Sequence, residues 1–400
     1  MPSIRKSAEV SSRWAAIAIG LSVPISVALD NALLLLRAVL WLAAGDLQQK
    51  FRTIAKCRVA LAALALIGLL AIGMLYGQAS SREALDAFGK YIDLLFIPIF
   101  ITLFRDEQTR RLALGSFVFA MVTTLALSYA LKFGMLHQGG ILRGFPGNPY
   151  VFKLHITQNF FMAYCAMVLA TQSILAVNPK SRAIFGMLAT LATINVLFMV
   201  QGRTGYIVIA TYLIYLFVSK YGKRGLLIGA AAVILLGSIA YTLSSEFHER
   251  VSLAASEFKG WHPGHAAKES NSIGERMEFY SNTLKIVGQH PFFGVGTGGF
   301  EKAYAQEVLG TKQAPTHNPH NEFLLIASQL GLAGLVLLLV LFYVQWIEAG
   351  KLPPLEGHLA HGLVLAMAAG CMFNSFLLDH AEGLFFSWMT GVLFSARRTA

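Results

Sequence analysis

Long apolar runs alternate with short polar connections along most of this 400-residue chain. A membrane-spanning helix requires about 20 predominantly apolar residues, and somewhat fewer when it packs inside a bundle. We predict twelve such spans, near residues 14–29, 31–45, 58–76, 90–104, 112–131, 157–177, 183–200, 204–218, 225–243, 321–346, 358–376 and 384–396. Only Asp30 separates the first two, which predicts a tight helical hairpin. The pattern therefore predicts an all-α polytopic membrane protein.

The composition agrees with this class. Hydrophobic residues make up 56% of the chain and charged residues only 13%, whereas soluble domains are about 25% charged. The net charge of +11 could suggest a nucleic-acid partner, but the basic residues lie in short loops between apolar runs, as expected for membrane orientation. We therefore expect no nucleic-acid partner. Cys57, Cys165 and Cys371 lack CxxC spacing, so no disulfide framework or zinc site is expected.

The basic loops predict an orientation. If the N-terminus lies inside, then KFRTIAKCR, RDEQTRR, NPKSR, SKYGKRG and SARRTA all fall on the inner side, and the short outer loops hold few cations. Both termini are therefore predicted to be cytoplasmic. The same topology divides the chain into a bundle of about nine spans over 1–243, a long outer loop over 244–320, and about three further spans over 321–400.

The long outer loop contains a predicted helix within SIGERMEFYSNTLKIVGQHP. Ser272 is a candidate N-cap, and Glu275 follows three residues later, which is the spacing of a capping box. Arg276 then lies in the first turn. A solvated ion pair with Glu275 or Glu278 is the alternative to a functional role for this arginine.

Three glycines follow in GxGxxG spacing, at 294, 296 and 299. A dinucleotide site requires a preceding strand and a following helix, whereas the flanks here are aromatic and the segment lies outside the membrane. We predict a tight turn that lets the loop lie against the bundle.

The stretch THNPHNEFLLIASQLGLAG places polar residues before an apolar helix. Asn318 and Pro319 predict a helix start, with an Asn N-cap and a proline at the first helical position, so that His320 and Asn321 occupy the first turn. At 100° per residue, the face of His320 continues into small residues that allow close approach of another helix or a lipid chain: Ala327, Gly331 and Gly334.

A helix N-terminus would lower the pKa of the His320 imidazole and would attract a phosphate group. A hydrogen-bonded structural histidine is the alternative. The outer loops contain no DxD or HExxH sequence and no paired carboxylates at metal-ligand spacing, but they do offer arginines. Arginine binds phosphate through a planar two-pronged contact, so the pattern indicates an activated anionic substrate such as a lipid diphosphate.

The run of His320–Asn321, nine residues, Gly331, two residues and Gly334 resembles the signature of the bacterial O-antigen ligases. The large penultimate outer loop, an arginine at the outer end of an earlier span and another within the loop are also similar. The resemblance implies a C-type glycosyltransferase-like bundle in the bacterial inner membrane, with a large helical periplasmic loop. The motifs cover about residues 200–380, and the first 200 residues match only in their span pattern.

The resemblance also implies a reaction in lipopolysaccharide biosynthesis. Such enzymes move a glycan from undecaprenyl diphosphate to lipid A–core on the periplasmic face, without ATP, a metal or another cofactor. Carried over to this chain, Arg203 and Arg276 hold the diphosphate and His320 assists the acceptor in an inverting transfer. The remaining candidate substrate-binding residues are Asn321, His317 and Asp379, the last matched by location only.

Three alternatives stay open. An O-antigen polymerase and a protein O-oligosaccharyltransferase use the same donor with a different acceptor. A transporter of lipid-linked glycans is a different class, for which twelve spans with both ends inside are common, although two related halves and helices broken at the membrane midplane are also expected there.

Overall fold

The computed structural model describes residues 2–262 and 272–396, and over these residues it consists of helices and connecting turns without a β-strand. The α-helices are α1 (Pro2–Ser22), α2 (Val27–Ala43), α3 (Leu47–Ala55), α4 (Arg58–Gly73), α5 (Ser81–Lys90), α6 (Phe96–Leu103), α7 (Glu107–Lys132), α8 (His155–Leu175), α9 (Pro179–Ile194), α10 (Arg203–Tyr221), α11 (Lys223–Leu243), α12 (Ser245–Lys259), α13 (Ser272–Gln289), α14 (Phe300–Glu307), α15 (Glu322–Ala349), α16 (Pro354–Phe373) and α17 (His380–Phe394). A 3₁₀ turn (Ile92–Leu95) precedes α6, and a π-helical turn (Asn195–Met199) follows α9. The predicted all-α class is confirmed.

Within the described residues, six helices are long and apolar enough to cross a membrane: α7, α9 with its π-helical turn, α10, α11, α15 and α16. A seventh span results if α2 and α3, which meet at 111°, count as one. All twelve predicted runs coincide with helices, but several are short, such as α4 and residues 92–103. The chain is therefore a multi-pass membrane protein, and the number twelve stays a prediction.

The first hairpin turns earlier than predicted. Residues 23–26 form the turn, and Asp30 lies inside α2, where it is fully buried. Ser26 caps α2 by accepting a hydrogen bond from the Leu29 amide at 3.4 Å, and the Ser22 hydroxyl donates to Asp30 at 2.5 Å. The prediction of a break at Asp30 is therefore wrong, because this carboxylate has a polar partner inside the hairpin.

Helices α8 and α17 form the centre of the bundle, since nearly every side chain of α17 and most of α8 are buried. Phe385 of α17 packs against Phe117 of α7 and Tyr164 of α8, with ring centroids 5.1 and 5.2 Å apart. Trp388 donates through Nε1 to the Ala16 carbonyl at 2.7 Å, which joins α17 to α1. Aromatic packing of this kind fixes the central helices around which the others lie.

Helix α15 is broken at Gly331, whose backbone has φ +63° and ψ −159°. The hydrogen-bonding groups freed by the break pair with the preceding loop. The Ser328 and Gln329 carbonyls accept from the Val295 and Gly296 amides at 2.9 and 2.8 Å, and the Leu332 amide donates to the Pro291 carbonyl at 2.7 Å. A broken apolar helix is tolerated where protein groups satisfy the freed backbone in this way.

The glycine-rich loop therefore lies against the bundle, as predicted. Gly294 and Gly296 have φ values of +67° and +84°. A Cβ on Gly294 would lie 2.4 Å from the Gln329 carbonyl carbon, and one on Gly296 would lie 2.1 Å from the Cα of Gly77. Only residues without a Cβ allow this approach to α15 and to the end of α4.

Candidate active site at one end of the bundle

Arg203 is the first residue of α10, and a buried amide fixes the turn before it. Asn159 of α8 donates through Nδ2 to the Gly202 carbonyl at 2.6 Å. A Cβ on Gly202 would lie 2.6 Å from that side-chain nitrogen, so glycine permits the contact. The π-helical turn over Asn195–Met199 directly precedes this turn, and such turns occur frequently at functional sites. Arg203 is half-buried.

Arg276 lies on α13, the helix predicted for the long loop. Within the described residues α13 begins at Ser272, and the Glu257 carboxylate of α12 accepts from the Ile273 amide at 3.1 Å. The capping box predicted at Ser272 falls on a side chain outside the described part of the structure. Arg276 is half-buried, and its electrostatic neighbours include Tyr280, Arg203 and Glu275.

His320 does not lie in a first helical turn. The N-cap of α15 is Asn321, whose side chain accepts from the Leu324 amide at 3.0 Å, so the predicted start at Asn318 and Pro319 is wrong by three residues. His320 precedes this cap in a left-handed conformation, with φ +55°. Its amide donates to Asn318 Oδ1 at 2.8 Å, which forms the local turn that holds this backbone.

The prediction of a small-residue helix face below His320 is also wrong. His320 lies outside the helix and Gly331 breaks it, so Ala327, Gly331 and Gly334 do not continue a face that begins at His320. The group that approaches Gly331 closely is the loop backbone at Phe292, and a Cβ on Gly331 would lie 2.2 Å from its carbonyl carbon.

Arg203, Arg276 and His320 converge at the same end of the bundle, which we call the His320 end. Burial is the main cause that lowers the pKa of His320 below 6.5, and the charges of Arg276 and His317 lower it further. Burial also lowers the pKa of Arg276, an effect that Tyr280 opposes and Arg203 enhances. The predicted direction of the His320 shift is correct, but the cause is burial and neighbouring cations, since this residue is not part of a helix. Two cations beside a neutral imidazole suit a polyanionic ligand.

Hydrogen bonds join the His320 segment to the end of α16 and to the turn that follows it. The Tyr280 hydroxyl lies 3.1 Å from the His320 carbonyl and 3.0 Å from the Met372 carbonyl, and Asn321 donates through Nδ2 to the latter at 3.0 Å. The Ser375 hydroxyl donates to Asn318 Oδ1 at 2.7 Å. Sequence reasoning missed Tyr280, since nothing in its spacing relates it to His320, 40 residues away along the chain.

The carboxylate of Glu322 is fully buried at the start of α15. It accepts from the Tyr91 hydroxyl at 2.8 Å and from the Leu377 amide at 2.9 Å. Asp379 lies within electrostatic range of Glu322 and of Lys90, at the N-cap position of α17, with an exposed side chain. The structure thus places Asp379 at the His320 end without bonding it to the histidine, and its role stays a prediction. His317 is exposed beside His320.

A second polar cluster at the same end was not predicted from the sequence. Lys153 Nζ lies 3.6 Å from Asp30 Oδ2, and His380 Nδ1 lies 2.8 Å from Asp93 Oδ2. Both aspartates and the lysine are buried. The partners come from distant parts of the chain, so no local spacing could reveal them.

An apolar pocket of about 260 Å³ lies between α10 and α11, with Phe247 of α12 in its wall. Tyr206 lines the pocket one helical turn after Arg203, and the Arg250 guanidinium donates to its hydroxyl at 2.9 Å. The pocket therefore begins beside the candidate phosphate-binding arginine and continues between spans.

In the ranges 2–262 and 272–396, no group of three or more His, Cys, Asp or Glu side chains could hold a metal ion. Metal independence stays a prediction for an activity assay.

Residues 188–339 match the family model described as O-antigen ligase. The matched segment includes Arg203, Arg276 and the motif from His320 to Gly334, so the family resemblance seen in the sequence is confirmed. The match supports a ligase or polymerase type of function, a glycosyltransferase-like enzyme, and membrane-associated, lipid-linked glycan substrates.

The chain is also similar to an uncharacterized protein of Haemophilus influenzae. The two are 23% identical over 263 residues, a match that covers 62% of this chain and 62% of that protein. The match thus spans less than two thirds of the relative.

Proposed function

We propose that this protein, whose residues 188–339 carry the O-antigen ligase match, transfers a glycan from undecaprenyl diphosphate to lipid A–core on the periplasmic face of the bacterial inner membrane. The observation that carries the proposal is the convergence of Arg203, Arg276 and His320 at one end of a multi-pass bundle. The specific donor, the acceptor and the side of the membrane are parts of this proposal.

The two arginines suit the donor diphosphate. Arg276 lies near a second cation, and a diphosphate between them would relieve their repulsion. Arg203 also stands at the N-terminus of α10, where free amide groups favour an anion. Both guanidinium groups can contact two phosphate oxygens at once.

The pocket between α10 and α11 suits the lipid part of the same donor. It begins one turn below Arg203, and its wall is apolar, with residues such as Leu197, Ala210 and Val233. A prenyl chain in this pocket would hold the diphosphate beside the arginines. Gly237 lines the pocket, and a Cβ on this residue would have no neighbour within 4 Å, so a branched side chain there would occupy the space of the lipid.

The transfer proceeds as a single inverting displacement. The acceptor hydroxyl oxygen attacks the anomeric carbon from the side opposite the diphosphate, and the bond from that carbon to the leaving oxygen breaks. The hydroxyl proton passes to the neutral imidazole of His320, and the charge that develops on the leaving diphosphate is stabilised by Arg203 and Arg276. The lowered pKa of His320 keeps the imidazole neutral and able to accept this proton near pH 7.

A polymerase of O-antigen repeat units is the second candidate, because the family match supports both types of function. It would use the same donor site with a lipid-linked glycan as acceptor. The acceptor therefore distinguishes the two.

The test uses the purified full chain with undecaprenyl-diphosphate glycan and either lipid A–core or a second lipid-linked glycan. We expect a lipid A–core conjugate, and Gly237→Leu should raise the KM for the donor. Gly68→Leu in α4 is the matched control, since a Cβ there also has no neighbour within 4 Å and Gly68 does not line this pocket. Elongation of the lipid-linked glycan alone would assign the polymerase activity, and passage of intact donor across a vesicle membrane without transfer would assign a transporter.

A further inference from the structure

A second pocket lies at the end of the bundle opposite His320. It has a volume of about 420 Å³, which lies in the range of small-molecule and cofactor sites. The ends of α8 and α10 and the beginning of α16 enclose it, with Ile174, Leu213 and Phe217 in the apolar wall and Lys220 and His358 among the polar residues. The proposed transfer reaction uses none of these residues.

The position corresponds to the opposite membrane surface. Arg203 begins α10 and Lys220 lies near its end, which separates them by about 26 Å along a helix that rises 1.5 Å per residue. This distance is close to the hydrocarbon thickness of about 30 Å. Ile174 and Leu175 at the pocket rim are exposed, so the pocket is open on the side where lipid would lie.

The polar part of the pocket is positively charged. Lys220 is exposed at its mouth, with its ammonium group 5.2 Å from the Tyr221 ring, and the His358 imidazole is oriented by a 3.0 Å contact between its Nδ1 and the Tyr215 hydroxyl. Further cations lie at the same end, in the first turns of α9 and α11: Lys180, Arg182, Lys223 and Arg224. Glu356 of α16 forms an ion pair with Arg110, whose Nε lies 3.9 Å from the Glu356 carboxylate. An apolar wall beneath a cationic mouth matches an acyl chain attached to an anionic head group.

We propose that this pocket binds an anionic phospholipid of the inner leaflet, with an acyl chain against Leu213 and Phe217 and the head-group phosphate at Lys220. Basic pockets between membrane helices bind such head groups. The bound lipid would hold the ends of α8, α10 and α16 together. This site is independent of the glycan donor and of the proposed transfer.

The purified full chain in detergent tests this proposal by thermal melting and native mass spectrometry. Phosphatidylglycerol should raise the melting temperature and remain bound, whereas phosphatidylcholine at the same concentration should do so much less. Lys220→Gln should weaken phosphatidylglycerol binding about fivefold, which corresponds to about 1 kcal/mol. Lys56→Gln is the matched control, because Lys56 is an exposed cation predicted on the same side of the membrane but outside the pocket.

Ser219→Trp provides a second variant, since Ser219 lines the pocket from an exposed position where an indole can fill the mouth without disturbing the core. This variant should show no rise in melting temperature when phosphatidylglycerol is added, and in detergent alone it should melt near the wild-type temperature. Equal responses to the two lipids, equal effects of Lys220→Gln and Lys56→Gln, or full binding by Ser219→Trp would each overturn the proposal. A rise produced by inorganic phosphate alone would assign the site to a free anion instead.

Discussion

His320→Asn removes the imidazole while keeping a residue type that tolerates the backbone φ of +55°. His320→Ala removes the imidazole too, but alanine in the left-handed region costs about 1–2 kcal/mol, so its loss of rate mixes chemistry with folding. A general base typically contributes about 10²–10⁴-fold, equivalent to roughly 2.7–5.4 kcal/mol of barrier. We expect both variants to lose about this factor in kcat, and His320→Asn to melt closer to the wild type.

The assay is single-turnover transfer by purified variants, with melting temperatures measured on the same preparations. His317→Asn is the matched control, because His317 is exposed and lies only three residues away. It should lose less than about threefold in rate. The assignment of the base is wrong if His320→Asn retains more than about a tenth of the wild-type rate, or if His317→Asn is the more damaged variant.

The pH dependence gives a second readout of the same assignment. Burial first, and then Arg276 and His317, lower the pKa of His320, so its neutral, proton-accepting form persists below pH 6.5. The rising limb of kcat/KM should therefore lie below pH 6.5 in the free enzyme. Arg276→Gln removes one of these causes and should move the limb towards higher pH. If the rising limb of the kcat/KM profile stays at the same pH in both His320→Asn and Arg276→Gln, a group other than His320 controls it.

Further predictions concern the donor, the broken helix and metals. Arg203→Ala or Arg276→Ala should weaken donor binding or turnover strongly, and the lysine variants should recover little because the two-pronged phosphate contact is lost; near-normal donor titrations would contradict this. Gly331→Ala should lower the melting temperature, because the backbone strain of about 1–3 kcal/mol adds to a clash between the new Cβ and the Phe292 backbone. Gly288→Ala is the control: its Cβ would have open space, so its melting temperature should stay near that of the wild type. Transfer activity should survive excess EDTA, and restoration of a lost activity by magnesium or manganese would refute metal independence.

The placement of the two arginines could be anticipated, because the alternation of basic loops put both on one side of the membrane before any contact was known. The exact start of α15 could not. Asn318 and Asn321 are equally good capping residues by local preference. Asn318 Oδ1 instead accepts from the His320 amide in a local turn and from the Ser375 hydroxyl, and the second contact forms only after the segment after α16 has folded against it.

Long-range partners explain the remaining differences. The period of the apolar residues in α15 gives no sign of a break, and Gly331 departs from helical geometry because the loop at Pro291 and Phe292 supplies the missing backbone partners. Likewise, Asp93 and His380 are 287 residues apart in sequence. Local patterns constrain the helices and their ends, whereas such pairings depend on how distant segments meet.

The two parts of α15 on either side of Gly331 differ in how exposed their side chains are. Residues 325–331 are buried throughout, whereas large exposed apolar side chains begin at Leu332 and recur at Val336, Leu339 and Tyr343. Residues 332–349 alone would extend about 27 Å, nearly the depth of the hydrocarbon layer. We therefore predict that Gly331 lies near the membrane surface, so that residues 322–330 place His320 up to about 14 Å above it. At that height we expect the proposed transfer to occur in water-accessible space, with only the lipid tail of the donor inside the membrane.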